Sequence, residues 1–256
     1  MSAAEEFIHI NGNELLLRRT GAGEPMLFLH GAGGMPAWLP FFDRLAERFD
    51  LLVPDHPSYG RSPTPDWLDD VGDLGYFYLD FLEALDLADV HVIGHSLGGW
   101  IGLEMAVRAT QRIKSLSLIA TAGIRIKGLP AANVLIMDRA QLIGALYADP
   151  DLAEQMLAIE PTPDQIAEIV DNNVATARLA WQPRFFNPNL RKWLHRIDVP
   201  AHIIWGAEDK IIAPDYAAEF AGLIDGATVS MIENAGHVPQ LEQLDAVMVA
   251  IVKFFD

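Results

Sequence analysis

A serine surrounded by glycines separates two apolar segments of this 256-residue chain. The segment reads VHVIGHSLGGWIGLEMAV from residue 90 to residue 107, and it contains the pattern Gly94-x-Ser96-x-Gly98. Glycine is unfavourable in both strands and helices, so a cluster of it usually meets a steric requirement. The apolar run before Ser96 is typical of a buried strand, and the run after it is typical of a helix. The pattern therefore predicts a tight strand-to-helix turn that exposes the Ser96 hydroxyl.

Other apolar runs predict that the strand before Ser96 belongs to a parallel sheet. Short runs that lack polar alternation fit strands buried on both faces. Besides residues 90–94, such runs occupy residues 26–30, 51–55, 116–120, 202–205 and 228–232. The first segment, FIHINGNELLLRR, instead predicts a hairpin around Asn11-Gly12-Asn13.

Amphipathic segments between these runs predict helices that cover the sheet. Leu74, Phe77, Phe81 and Leu85 share one helical face, and the chain closes with a similar stripe from Leu241 to Phe255. We therefore expect an α/β fold with a mostly parallel central sheet and helices on both faces.

The alternation of strands and helices is interrupted once, between residues 123 and 197. This stretch has no strand signal, and Thr162-Pro163 followed by Gln165 predicts a capped helix that runs to Ala180. We expect residues 1–122 and 198–256 to form the α/β core, and residues 123–197 to form a helical cap insertion over one end of the sheet. Trp181 and Phe185, four residues apart, either pack within this insertion or contact a substrate.

Composition narrows the functional classes. The chain has no cysteine, so thiol catalysis and thiolate metal sites are excluded. A formal charge of −17 argues against nucleic-acid partners, although it fits simple solubility equally well. No segment approaches the ~20 continuous apolar residues of a membrane helix, and the first residues do not resemble a secretory signal. We expect a cytoplasmic protein that binds no cofactor or metal, since no nucleotide, phosphate or zinc motif is present.

A serine hydroxyl needs a base and an orienting acid to act as a nucleophile. Asp209 follows the run at 202–205, and His237 follows the run at 228–232. Parallel strands bring such loops to one edge of the sheet, so Ser96, Asp209 and His237 form a candidate catalytic set. Glu208 and Asp215 are the competing acids. Asp209 is preferred because it lies at the strand end, whereas Asp215 is expected in the first turn of a helix after Pro214.

Acyl transfer also requires backbone N–H groups that stabilise the negative charge on the carbonyl oxygen. Leu97, the residue after the nucleophile, is one expected donor. The glycine-rich loop His30-Gly31-Ala32-Gly33-Gly34 is expected to supply the other, from Ala32. His30 is either a substrate contact or a structural residue that holds this loop.

Five segments, taken in order, resemble the α/β-hydrolase superfamily. They are HGAGG at 30–34, DHPSYGRS at 55–62, GHSLGG at 94–99, WGAEDKIIA at 205–213 and NAGHVPQLE at 234–242. The resemblance covers nearly the whole chain, and it implies a nucleophile elbow at Ser96 and a substrate-shaping lid at residues 123–197. Ser96 distinguishes the chain from the epoxide hydrolases and dehalogenases of this fold, which carry a carboxylate there.

The resemblance implies a serine hydrolase that cleaves a carboxylic ester or lactone through an acyl-enzyme. Substrate contacts are expected from His30, Gly31, Trp181, Phe185 and Val238. One alternative is a carbon–carbon bond hydrolase of meta-cleavage-type diketones. Those enzymes usually have Asn before the serine and Trp after the histidine, where this chain has His95 and Val238. A second alternative is a non-catalytic small-molecule receptor, and the oligomeric state is left open.

Overall fold

The computed structural model describes residues 3–35 and 37–255 and is organised around an eight-stranded sheet. The strands are β1 (Ala4–Ile10), β2 (Asn13–Gly21), β3 (Glu24–Leu29), β4 (Phe49–Pro54), β5 (Val90–His95), β6 (Ile113–Ile119), β7 (Ala201–Gly206) and β8 (Thr228–Ile232). Their spatial order is β1-β2-β4-β3-β5-β6-β7-β8. The pairs β1–β2 and β2–β4 are antiparallel, and every later pair is parallel.

The N-terminal hairpin has the predicted turn. Ile10 pairs with Asn13, which leaves Asn11 and Gly12 as a two-residue loop. Both have positive φ, at 49° and 81°, as a hairpin turn that matches strand twist requires. Each predicted apolar run coincides with a strand to within a few residues.

The helices are α1 (Pro40–Ala46), α2 (Val71–Ala84), α3 (Leu97–Arg108), α4 (Arg139–Leu146), α5 (Pro150–Ala158), α6 (Pro163–Ala180), α7 (Asp215–Leu223), α8 (Pro239–Glu242) and α9 (Leu244–Phe255). Two short 3-10 helices occupy Val134–Ile136 and Leu190–Arg196. None of the helices in the described part of the chain is both long enough and apolar enough to span a membrane.

Helices cover both faces of the sheet, as two adjacent residues of β5 show. The His91 ring lies 4.5 Å from that of Phe255 on α9. Val92, the next residue, lies beside Gly102 of α3. Because successive side chains of a strand point to opposite faces, α9 and α3 lie on opposite sides of the sheet. The central strands are consequently buried on both faces.

Residues 123–197 connect β6 to β7 and contain α4, α5, α6 and the two 3-10 helices, with only isolated bridges in place of strands. The predicted helix start is confirmed, since Thr162 and Gln165 form a capping box at the head of α6. The segment from Leu241 to Phe255, predicted as a single helix, is divided at Gln243. The φ and ψ of Gln243, −130° and 54°, are outside the helical range. Leu241 therefore lies in the short α8 and is separated from the residues of α9.

Candidate active site

The turn between β5 and α3 places Ser96 in a strained conformation. Ser96 has φ of 53° and ψ of −112°, which is unusual for a residue other than glycine. Its neighbours must be small because the backbone segments nearly touch. A Cβ at Gly98 would lie 1.9 Å from the Leu29 carbonyl oxygen, and one at Gly94 would lie 2.4 Å from the Gly98 carbonyl oxygen. The glycines therefore allow α3 to begin directly against the end of β3.

The three residues of the candidate catalytic set meet at the carboxyl edge of the sheet. The His237 Nε2 lies 3.0 Å from the Ser96 Oγ, and the His237 Nδ1 lies 2.8 Å from the Asp209 Oδ2. Asp209 and His237 are 5% and 3% exposed. Asp209 is therefore the acid that contacts His237. Of the two competing acids, Glu208 is exposed and Asp215 lies in the first turn of α7.

The hydrogen bonds around His237 define which of its two ring nitrogens carries the proton. The Asp209 Oδ1 accepts the N–H groups of Ile211 and Ile212 at 2.8 and 2.9 Å, which keeps the carboxylate fixed as an acceptor. Its Oδ2 then accepts the Nδ1–H of His237, so the Nε2 lone pair faces the Ser96 hydroxyl. This is the arrangement in which a histidine can take a proton from a serine.

The backbone of His237 is held on both sides. Its N–H donates to the Leu146 carbonyl at 2.8 Å, and its carbonyl accepts the Nε2–H of His95, also at 2.8 Å. Burial lowers the pKa of His95 to about 3, with the nearby His237 adding to the effect. His95 is therefore neutral near pH 7. The Glu242 carboxylate accepts the N–H groups of Gly236 and Ala148 at 2.5 and 2.8 Å, which ties the His237 loop to the end of α4.

The glycine loop at residues 31–34 is fixed by two stacked histidines, whose ring centroids lie 3.6 Å apart. The His30 Nδ1–H donates to the Gly31 carbonyl at 2.8 Å, while its Nε2 accepts the His56 N–H at 3.0 Å. Burial lowers the pKa of His30 to about 4, so this tautomer is neutral. His30 thus has the structural role that was one of its two predicted roles, although it also borders the cavity described below.

Helix α6 contacts the same loop through two buried polar side chains. The Thr176 Oγ1 donates to the Ala32 carbonyl at 3.2 Å, and the Asn172 Nδ2 donates to the Gly33 carbonyl at 3.1 Å. Sequence reasoning missed both residues. Asparagine and threonine on the buried side of an otherwise apolar helix face are the signal that marks them, because buried polar groups need partners.

Among the described residues, no acceptor pairs with the backbone N–H group of either predicted oxyanion donor, Leu97 or Ala32. The Leu97 N–H is one of the unpaired donors at the start of α3, where the helix dipole favours negative charge. Leu97 directly follows Ser96, and Ala32 lines the cavity described below. The N–H groups of both residues are therefore available to an anionic oxygen.

A cavity of about 310 Å³ opens onto Ser96 and His237. The α/β core contributes Gly31, Ala32, His95, Val238 and Gln240, among others, to its wall. The segment 123–197 contributes a largely apolar set comprising Ala131, Ala132, Val134, Leu135, Leu142, Leu146, Tyr147, Asn173, Thr176 and Phe185. No charged side chain lines the cavity within the described residues.

The structure separates the two aromatic residues expected at the site. Phe185 is 8% exposed and lines the cavity, with an unusual φ of 56°. Trp181 does not line it. It follows the last turn of α6 with 49% of its surface exposed, so the structure does not bring Trp181 into the cavity wall where a substrate contact was expected. Across residues 3–35 and 37–255, no group of three or more His, Cys, Asp or Glu side chains is arranged to hold a metal ion.

A model of the alpha/beta hydrolase family matches residues 26–250. The chain belongs to the alpha/beta hydrolase family.

Three curated proteins are similar to most of this chain. The chain is 28% identical over 260 residues to the dihydrolipoyllysine-residue acetyltransferase component of the acetoin cleaving system of Cupriavidus necator, covering 94% of this chain but only 66% of that protein. It is 29% identical over 253 residues to Lipase 1 of Psychrobacter immobilis, covering 92% and 78%. It is 23% identical over 253 residues to a 2-hydroxy-6-oxo-6-(2'-aminophenyl)hexa-2,4-dienoic acid hydrolase of Metapseudomonas resinovorans, covering 93% and 86%.

Among solved structures, a serine hydrolase from the polyaromatic hydrocarbon-degrading bacterium Cycloclasticus zankles superposes with a TM-score of 0.84. The two chains are 19% identical, and the match covers 100% of this chain and 98% of the other. This likeness shows the alpha/beta hydrolase fold.

Proposed function

We propose that this alpha/beta hydrolase cleaves a carboxylic ester or lactone through an acyl-enzyme on Ser96. The observation that carries the proposal is the continuous row of hydrogen bonds from Ser96 through His237 to Asp209 at the wall of the cavity. The Psychrobacter lipase among the relatives is consistent with ester chemistry.

In the first half-reaction, the Ser96 Oγ attacks the substrate carbonyl carbon while His237 Nε2 takes the hydroxyl proton. Asp209 stabilises the imidazolium that results. The carbonyl oxygen becomes an oxyanion held by the N–H groups of Ala32 and Leu97, and loss of one such donor costs roughly 3 kcal/mol in known enzymes. The bond to the leaving oxygen then breaks, His237 returns the proton to that oxygen, and the acyl group remains on Ser96.

In the second half-reaction, water attacks the same carbonyl carbon and gives its proton to His237. The carbon–Oγ bond breaks, Ser96 recovers its proton, and the carboxylic acid leaves. Each step uses His237 alternately as base and acid, which matches its position between the serine and the carboxylate.

The uncharged cavity wall supports a neutral substrate. Transfer of a carboxylate into an apolar site without a cation is costly, and neither lysine nor arginine lines the described cavity. This favours esters and lactones over diketone acids of the kind named for the Metapseudomonas relative. That relative nevertheless makes carbon–carbon bond hydrolysis the second candidate.

We further propose that residues 123–197 act as a lid that selects the substrate. The segment supplies one side of the cavity wall, including Phe185, and α6 reaches the oxyanion loop through Thr176. Side chains that face the substrate without touching the reacting atoms affect selectivity more than chemistry.

A side-by-side assay of p-nitrophenyl butanoate, an unsubstituted lactone and a vinylogous diketone acid tests this proposal with the wild type and Ser96→Ala. We expect turnover of ester or lactone, lost in the variant. A higher kcat/KM for the diketone acid would favour carbon–carbon bond hydrolysis. No turnover of any of them, together with a ligand-dependent rise in Tm, would favour a receptor.

A further inference from the structure

The carbonyl groups of the glycine loop are held in two different ways. The Gly31 carbonyl is held from within the loop, by the His30 ring at 2.8 Å and the Gly34 N–H at 3.1 Å. The next two carbonyls, those of Ala32 and Gly33, are held by side chains of α6. Because the C=O and N–H of one trans peptide point in opposite directions, bonds to the carbonyls also set the directions of the N–H groups.

Asn172 on α6 joins the glycine loop to a second loop. Its Nδ2 donates to the Gly33 carbonyl at 3.1 Å, and its Oδ1 accepts the Gly60 N–H at 3.0 Å. Since a carbonyl only accepts and a backbone N–H only donates, these two partners fix the orientation of the amide. Asn172 is buried and does not line the cavity, so its amide supports the two loops rather than a substrate.

Thr176 joins the same two loops one helical turn further along α6. The Ala32 carbonyl can only accept, so the single hydroxyl hydrogen of Thr176 points to it, with 3.2 Å between the oxygens. The Tyr59 hydroxyl, 2.8 Å from the Thr176 Oγ1, is then the donor of the second bond. Both side chains are buried, which keeps water from competing for these bonds.

We propose that Thr176 and Asn172 are positioning residues that hold the Ala32 N–H in place for the oxyanion, so that α6 supports catalysis as well as shaping the cavity. The inference rests on the proposed ester or lactone hydrolysis. Three of the four residues in the loop 31–34 are glycine, whose backbone is conformationally free. Bonds from a packed helix restrict that freedom, and a displacement of about 1 Å in such a site can cost about 100-fold in rate.

The first test compares two substitutions of Thr176. Thr176→Val removes the hydroxyl while keeping a similar shape, and Thr176→Ser keeps the hydroxyl. With p-nitrophenyl butanoate, we expect Thr176→Val to lower kcat/KM about 10- to 100-fold, because the oxyanion donor is less well placed. Thr176→Ser should retain most of the wild-type kcat/KM.

A pair of inhibitors separates stabilisation of the oxyanion from occupation of the cavity. The Ser96 Oγ adds to the carbonyl carbon of 1,1,1-trifluorooctan-2-one, its proton passes to His237, and the ketone oxygen becomes an oxyanion. Octan-2-one has a similar shape but forms no stable adduct, so it reports binding in the cavity alone. The preference for the trifluoro ketone, measured as the ratio of the two Ki values, should fall in Thr176→Val by a factor similar to that in kcat/KM.

Leu179→Ala is the control, because it removes a buried side chain of α6 that makes no hydrogen bond to the loop. It should lower Tm and leave the Ki ratio unchanged. A wild-type ratio in Thr176→Val, the same loss in Leu179→Ala, or no recovery in Thr176→Ser would overturn the positioning role and leave Ser96-dependent hydrolysis standing. If the wild type shows no Ser96-dependent turnover, both the proposed function and this inference fail. If Thr176→Val does not fold, Asn172→Ala tests the same claim through the Gly33 carbonyl, and an unchanged Ki ratio there would overturn it.

Discussion

Asp209 holds His237 with one carboxylate oxygen and its own loop with the other. The Oδ2 lies 2.8 Å from the His237 Nδ1, and the Oδ1 accepts the N–H of Ile211 at 2.8 Å. Both oxygens therefore face donors, and the carboxylate cannot be replaced by an amide without placing an NH2 group opposite one of them.

Asp209→Asn is expected to lower kcat by several orders of magnitude with little change in KM. The amide favours the His237 tautomer that carries its proton on Nε2, which cannot accept the Ser96 proton. In the triad proteases, the corresponding exchange costs about 10⁴-fold. The matched control is Glu208→Gln, because Glu208 is the adjacent carboxylate and is exposed. Steady-state kinetics on p-nitrophenyl butanoate measures both, and similar losses in the two variants would refute the assignment of Asp209.

Phe185→Ala is expected to shift the preferred acyl chain length towards longer chains, because it enlarges the cavity wall next to the substrate. Trp181→Ala is the matched control, since it removes a larger aromatic side chain that lies outside the cavity. The measurement is kcat/KM for p-nitrophenyl esters from acetate to decanoate. An equal shift in both variants would contradict the proposed role of residues 123–197 as a lid.

The fold was more predictable than the contacts within the site. Short apolar runs identify the strands, and the Gly94-x-Ser96-x-Gly98 pattern places Ser96, because both depend on local constraints. The difference between Phe185 and Trp181 is not local. Both are aromatic and four residues apart, but Phe185 adopts a left-handed conformation after the end of α6, which removes it from the helical face that the spacing implies. Likewise, the sequence gives no sign that Gln240, a residue of the short α8, lies in the cavity wall.

Gly98→Ala is expected to destabilise the protein by more than about 4 kcal/mol or to prevent folding, since the methyl group would meet the Leu29 carbonyl oxygen at 1.9 Å. The control is Gly144→Ala, where the added Cβ has no neighbour within 4 Å. Within α4, that change should stabilise by about 0.5–1 kcal/mol. Urea unfolding at constant pH compares the two, and a Gly98→Ala protein as stable as the wild type would contradict the close approach of α3 to β3.

The stability of the fold is expected to fall as the pH decreases from about 6.5 to about 4. Burial lowers the pKa of His202, at the start of β7, from 6.5 to about 4. In that window the unfolded chain binds a proton that the folded protein does not, so protonation favours unfolding. His202→Leu should reduce this dependence, and His9→Gln, which removes an exposed histidine, is the control. Urea midpoints measured between pH 4 and pH 8 test it, and an unchanged slope in His202→Leu would count against the buried neutral histidine.

The most direct test of the central claim is the mass of the protein during turnover. The wild type is mixed with p-nitrophenyl butanoate, quenched in acid within milliseconds, and analysed as the intact protein and as peptides. The account predicts a transient adduct with the mass of one butanoyl group on the peptide that contains Ser96, formed together with a burst of p-nitrophenol and absent in Ser96→Ala. An adduct on any other residue, or the same burst and adduct in Ser96→Ala, would contradict an acyl-enzyme at Ser96.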